Sequence, residues 1–151
     1  MEQFESAQLG VLEFEESTVV QFPAGLPAFE HETRFLLIER NGQPLVFLQS
    51  LLTPSLLFMA LPARLVAPDF RLELMPDERR MLGVAGEGEL REGVDLIALV
   101  ILTARQGAEI TANLLAPVVI GAHTRRAVQT IQVDSGYRVD HPLATGEMAC
   151  L

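Results

Sequence analysis

The sequence predicts an all-β, mainly antiparallel fold: a small β-barrel-like domain with one or two short helices. Three observations predict it. Roughly nine or ten short runs of aliphatic and aromatic residues are punctuated by Gly, Pro and Asn, the rhythm of strands and turns. Only residues 75–83 carry convincing helix start and stop signals. The most apolar motif, residues 110–120, is divided by Pro117, which cannot donate to a ladder and disfavours helix on both sides of itself. Many short strands call for closure, which limits free edges.

Taken in order, residues 4–14 read as two short strands folding about residues 8–10. Residues 18–22, β-branched and aromatic, form a third strand that stops at Pro23-Ala24-Gly25-Leu26-Pro27. Proline presets φ and Gly25 supplies a positive φ, so this loop has an imposed shape. Residues 29–32 allow one helical turn. Asn41-Gly42, between the apolar runs 35–38 and 45–48, specifies a tight hairpin. Thr53-Pro54 punctuates before a strand over residues 56–61, and residues 62–68 read as irregular. Phe70, Leu72 and Leu74 alternate with Arg71 and Glu73, the period of a half-buried strand.

The helix over residues 75–83 starts with acidic side chains, continues with basic ones and stops at Gly83. Residues 86–93 form a charged surface loop, and residues 94–103 a central strand buried on both faces. Residues 106–109 connect it to the run 110–120, read as two strand pieces joined at a bulge or edge position. A polar turn over residues 121–126 leads to a returning strand over residues 127–133. The whole chain, residues 1–151, reads as one domain without internal repeat or linker.

Eleven Lys+Arg against twenty Asp+Glu give a formal charge of −9. Phosphates would be repelled, so direct nucleic-acid binding is not expected. The charge serves solubility or, more sharply, a basic partner. A single cysteine, Cys150, excludes an intrachain disulfide and suits a reducing, cytoplasmic setting. The N-terminal residues show no secretory pattern, and apolar runs of about ten residues fall short of the roughly twenty a membrane helix needs, so no membrane role is expected.

Catalytic patterns are missing from the sequence. His31, His123 and His141 stand apart, outside metal-ligand spacings, and no glycine-rich phosphate loop occurs. Asp134-Ser135-Gly136 has a protease-like look without a supporting neighbour. Glu30 and Glu32 flank His31, which an ordinary solvated acidic turn explains. No enzyme, metal or cofactor is predicted. The polar interruptions Thr111 and Asn113 have two readings: bonding to local backbone where Pro117 breaks the ladder, ranked first, or contacting a ligand. The loop around Pro23 and Pro27 is equally two-sided, since a rigid turn both shapes a fold and presents Leu26 and Phe29.

Four motifs carry a family resemblance. Residues 22–30 (FPAGLPAFE), Leu48-Gln49-Ser50, residues 111–120 (TANLLAPVVI) and His141-Pro142-Leu143 resemble, in order and spacing, the signatures of the flagellar assembly factor FliW family, over residues 9–143, leaving a short tail at 144–151. The chain departs from the family pattern at Thr53, Gly121 and Ala127, which concern turns, and at Asp140, which reverses a charge. The resemblance implies a non-enzymatic cytoplasmic protein that binds and antagonises the RNA-binding repressor CsrA and also binds flagellin, coupling flagellin level to its translation. It makes Leu26, Phe29, Glu30, Thr111, Asn113, Leu114, His141 and Pro142 candidate partner contacts, and Phe22, Pro23, Gly25, Pro27 and Pro117 structural. Two alternatives stand beside it. One is a secretion chaperone for flagellin only; the other is a small-ligand barrel with a pocket lined by Glu30, His31 and His141.

Overall fold

A computed structural model describes residues 1–84, 86 and 88–143; the predicted tail, with Cys150, lies outside the described residues. Strands β1 (Glu2–Ser6) and β2 (Gly10–Phe14) form the first hairpin. One 3-10 turn, Glu16–Thr18, precedes β3 (Val20–Gln21). Phe22 N still donates across to Thr33 O (2.8 Å), but the predicted third strand is shortened because Phe22 O accepts from Gly25 N (2.9 Å) and Pro23 has no N–H to give. β4 (Arg34–Glu39) and β5 (Val46–Ser50) pair from Phe35↔Ser50 to Glu39↔Val46. Asn41-Gly42 does sit in the connection, but the loop is longer than a two-residue hairpin, and Pro44 cannot extend the ladder into it.

β6 (Leu57–Pro62) runs into a single helical turn, α1 (Ala63–Val66), where an irregular segment was expected. Burial alternates along residues 70–74 as predicted, yet they form no strand. Their backbone is taken up by side chains instead. Tyr137 Oη accepts from Arg71 N (2.9 Å), Gln132 Oε1 accepts from Glu73 N (2.8 Å), and Gln132 Nε2 donates to Glu73 O (2.9 Å). α2 (Pro76–Met81) is the predicted helix. It ends in paired bonds, Val84 N to Arg79 O and Gly83 N to Arg80 O, both 3.0 Å, a Schellman closure.

β7 (Leu96–Thr103) is central, pairing antiparallel with β6, with β9 (Val118–Gly121) and with β8 (Thr111–Ala112). β10 (Ala127–Gln129) pairs β9, and β11 (His141–Pro142) pairs β8. The main sheet follows the order β10-β9-β7-β6-β5-β4-β3. Both faces of β7 are used. Ala98, Val100 and Leu102 join one apolar cluster, with Phe47, Leu61, Phe70 and Leu114; Leu99, Ile97 and Ile101 join the other, with Phe22, Phe35, Leu48 and Ile120. That two-sided burial accounts for the near-continuous apolar run.

The outer strands β3 and β10 approach each other through one parallel bridge, Gln21↔Arg126, where Gln21 N donates to Arg125 O at 2.8 Å. The next donor on β3's side would be Pro23, so the seam opens there. The fold is barrel-like but not closed, all-β with two short helices as predicted.

The run 110–120 does consist of two strand pieces on one partner. Leu102 pairs Ala112 and Leu99 pairs Val118, so residues 113–117 bulge out where β7 spends only Val100 and Ile101. Pro117 also limits β10, predicted to extend to residue 133. Thr130 N donates to Pro117 O (3.0 Å) and Gln132 N to Leu115 O (2.8 Å), but Pro117 cannot donate back, and the regular ladder stops at Gln129. Gly121, one of the departures from the family pattern, is required by a close approach: a Cβ there would lie 2.5 Å from Thr124 Oγ1, which donates to Leu82 O.

Candidate interaction site

Three segments converge at the open mouth of the barrel, and local chemistry shapes each. Phe22 anchors the first, buried edge-on against Phe35 with ring centroids 5.2 Å apart. Gly25 N donates to Phe22 O (2.9 Å), and Gly25 has φ +68; a Cβ there would stand 2.3 Å from the backbone oxygen of Glu30. Only glycine fits. Leu26 and Phe29 then exchange two backbone bonds, Leu26 N to Phe29 O (3.2 Å) and Phe29 N to Leu26 O (2.7 Å), around Pro27 and Ala28. Ala28 has φ 68, giving a type II turn with proline at its second position and a left-handed residue at its third. Over residues 29–32, where one helical turn is expected, Glu32 N donates to Phe29 O (2.9 Å) in a single hydrogen-bonded turn that does not extend into a helix. Leu26 is thereby driven into the core at 3 % exposure, while Phe29 is held 41 % exposed.

In the second segment, Asn113 Oδ1 accepts from Ala116 N (3.0 Å) and Asn113 N donates to Ile101 O (2.9 Å). The side chain thus closes the bulge before Pro117, as the structural reading expected. Thr111 differs: its backbone is paired on both sides, but among the described residues its hydroxyl has no hydrogen-bond partner, and the side chain lines the mouth. The third segment is laddered to the second. His141 pairs Ala112, Pro142 pairs Thr111, Leu143 N donates to Ile110 O (3.2 Å), and Arg138 O accepts from Leu114 N (2.9 Å). The two signatures separated by a long stretch of chain are one local structure.

Together they frame a groove of about 610 Å³. Leu26, Phe29, Phe58, Ile101 and Val139 supply apolar surface; Thr111, Asn113, Arg105, Glu109 and Asp140 supply polar groups. Arg138 Nε donates to Asp140 Oδ1 at 2.9 Å, and this hydrogen bond holds the Asp140 carboxyl below its usual range.

Of the predicted contacts, the groove unites Leu26, Phe29, Thr111 and Asn113. Glu30 is exposed on the other side of the loop, where it borders a recess of about 180 Å³ with Met81 and Gln129. Leu114 is buried at 2 % in the core, so it supports the groove from behind; His141 is half-buried and Pro142 exposed beside it, and neither lines it. Pro117 is buried and Pro23 and Pro27 are exposed in their turns. Phe58, Ile101 and Val139 belong to no motif. Only Val139, a lone aliphatic residue in a polar tail, carried a readable signal.

The Leu48-Gln49-Ser50 motif lies elsewhere. Gln49 is fully buried: its Oε1 accepts from Ser6 Oγ (2.6 Å), and its Nε2 donates to Ser50 O (2.9 Å) and Leu56 O (3.3 Å). Ser50 Oγ donates to the carboxylate of Glu32, as does Thr53 Oγ1 (2.5 Å), and Ser50 Oγ accepts from Thr53 N (2.8 Å). Glu32 is 2 % exposed, which corrects its reading as part of a solvated turn; a buried carboxylate needs donors, and two hydroxyls meet it. His31 remains exposed, 3.9 Å from Glu32. Among the described residues no cluster of three or more His, Cys, Asp or Glu could hold a metal, and no helix is long and apolar enough to cross a membrane. Apolar surface bordered by hydroxyl, amide and single charged groups is the composition of a recognition surface.

A family model described as FliW protein matches residues 3–143. The "Flagellar assembly factor FliW" of Syntrophomonas wolfei is 39 % identical over 140 residues, covering 91 % of this chain and 86 % of that protein. The protein of the same name from Geobacillus thermodenitrificans is 33 % identical over 141 residues, covering 93 % and 94 %. A solved structure, "Crystal structure of the flagellar assembly factor FliW", superposes with a TM-score of 0.81 at 29 % identity, covering 93 % of this chain and 96 % of that one.

Proposed function

The chain belongs to the FliW family, and from that premise we propose that it is a non-enzymatic, cytoplasmic flagellar assembly and regulatory factor that binds both CsrA and flagellin. Free flagellin occupies the protein, CsrA is released to repress flagellin mRNA, and export of flagellin restores the antagonism. The observation that carries this reading is the convergence of two signature segments on one half-open apolar groove, with Phe29 held out of the core at its edge. An interior filled by aliphatic and aromatic side chains, and a groove without His31 or His141, favours an interaction module over a small-ligand barrel.

The formal charge of −9 supports the same partner class. A basic, RNA-binding protein is drawn to an acidic one, and the complex lays negative potential beside the RNA path. Salt screens that potential over ~10 Å at 0.1 M, so it acts only on RNA close to the interface. Binding of the purified chain to the host's CsrA and flagellin tests the proposal. Association with both at micromolar concentration is expected. Association with neither would overturn it, and association with flagellin alone would leave a secretion chaperone.

A further inference from the structure

The strand that borders the groove also has an edge with two unclaimed donors, although Ile131 O there already accepts from Val133 N (3.1 Å). Residues 126, 128, 130 and 132 turn their backbone groups toward the segment 115–121, as the bonds Gly121 N to Arg126 O, Thr130 N to Pro117 O and Gln132 N to Leu115 O show. By the alternation of an antiparallel pair, the N–H groups of Gln129 and Ile131 point the other way. No other segment of the described chain takes them up, because β3 has already been turned aside at Pro23.

Natural sheets blunt such an edge with charge, proline or a covering element. Here the sequence from residue 127 to 133 is Ala-Val-Gln-Thr-Ile-Gln-Val, without a charge or a proline, and Ile131 and Val133 are 61 % and 71 % exposed. Ile131 has no role in the three core clusters. Gln129, two residues before it on the same face, lines the groove. Arg125 and Arg126 precede this edge, Arg125 spent on Thr18 O (2.7 Å), while Asp134 follows it and Glu30 shares a recess with Gln129. The formal charge of −9 on the whole chain repels a second copy and draws a cationic segment.

We propose that the edge at Gln129 and Ile131 is a strand-addition site: an extended, aliphatic segment of a positively charged protein partner pairs with it and sets a side chain into the groove mouth. Main-chain bonds supply affinity in this mode, and the pocket beside the edge supplies selection. The inference rests on reading the chain as a partner-binding module, but not on which partner uses the edge.

Amide exchange and binding on the full chain test it, with the host's CsrA and flagellin as probes. For at least one complex, the Gln129 and Ile131 amides, fast in the free protein, are expected to slow by about tenfold or more. Ile131→Lys, which places a charge on the edge, and Ile131→Pro, which deletes one outward N–H, are expected to weaken that binding at least about tenfold, and Ile131→Val by less than about twofold. An unchanged melting midpoint in the Lys variant separates this loss from misfolding. If the wild type binds a partner while both amides stay fast, or while Ile131→Lys binds within twofold, the strand-addition site is overturned and the proposed function stands. If the wild type binds neither probe, both fall. Self-association that protects the same amides would also overturn the assignment, in favour of a homodimer edge.

Discussion

Gln49 and Ser50 on one side, and Thr111 and Asn113 on the other, are polar pairs set in apolar strands, and both belong to signature motifs. Their surroundings differ. Gln49 and Ser50 are wholly buried, and their side chains bond to Ser6, Glu32 and the carbonyls of the 50–56 turn. Thr111 and Asn113 are half-buried at the mouth; Asn113 spends its oxygen on the bulge, while Thr111 leaves its hydroxyl to the groove. The first pair is architecture throughout. The second divides its work between holding the backbone and offering a surface. Membership of a signature therefore does not make a residue a contact.

The comparison can be broken first at positions where geometry leaves no room. Gly25→Ala is expected to destabilise by roughly 3–5 kcal/mol, since its Cβ would meet the Glu30 carbonyl and its φ is left-handed; chemical unfolding measures it. A stable Gly25→Ala protein would mean that the loop has another conformation available. Next comes the sealed pair. Gln49→Leu leaves the Ser6 hydroxyl without its acceptor and Ser50 O without its Gln49 donor, and a loss of roughly 2–4 kcal/mol in the same measurement is expected, with partner affinity of the remaining folded fraction unchanged. Asn113→Ala removes one bond to Ala116 N, about 1 kcal/mol, and lowers partner binding chiefly through the relaxed bulge. An Asn113→Ala protein of full stability that no longer binds would make Asn113 a contact. The smallest effect is expected at Ala28, where Ala28→Gly relieves a left-handed conformation and raises stability by no more than ~1 kcal/mol.

Much of the scaffold was legible because its causes are local. A near-continuous apolar run marked β7, acidic and basic ends with Gly83 marked α2, and Pro117 marked the break between β8 and β9. Where reading failed, a distant partner decided. Residues 70–74 have the period of a strand, yet Tyr137 and Gln132 side chains take their backbone bonds. β10 ends early because Pro117 lies opposite Thr130, a pairing that no single segment reveals. Glu32 looked solvated among charged neighbours, and only the approach of Ser50 and Thr53 buries it. At the site, the loop and the T-A-N segment were visible as motifs, but Phe58 and Ile101 were not. They are ordinary strand residues until the unclosed seam exposes the end of the barrel they line.

The central claim is that the mouth groove, and not the sealed Gln49–Ser50–Glu32 network, meets the partner. Phe29→Ala addresses it most directly, because Phe29 is held outside the core by a loop whose geometry does not depend on its ring. Its affinity for CsrA and for flagellin, measured alongside its melting midpoint, is expected to fall at least about tenfold for one of them with the midpoint nearly unchanged. Wild-type affinity for both partners would contradict the account and move the interface away from the groove.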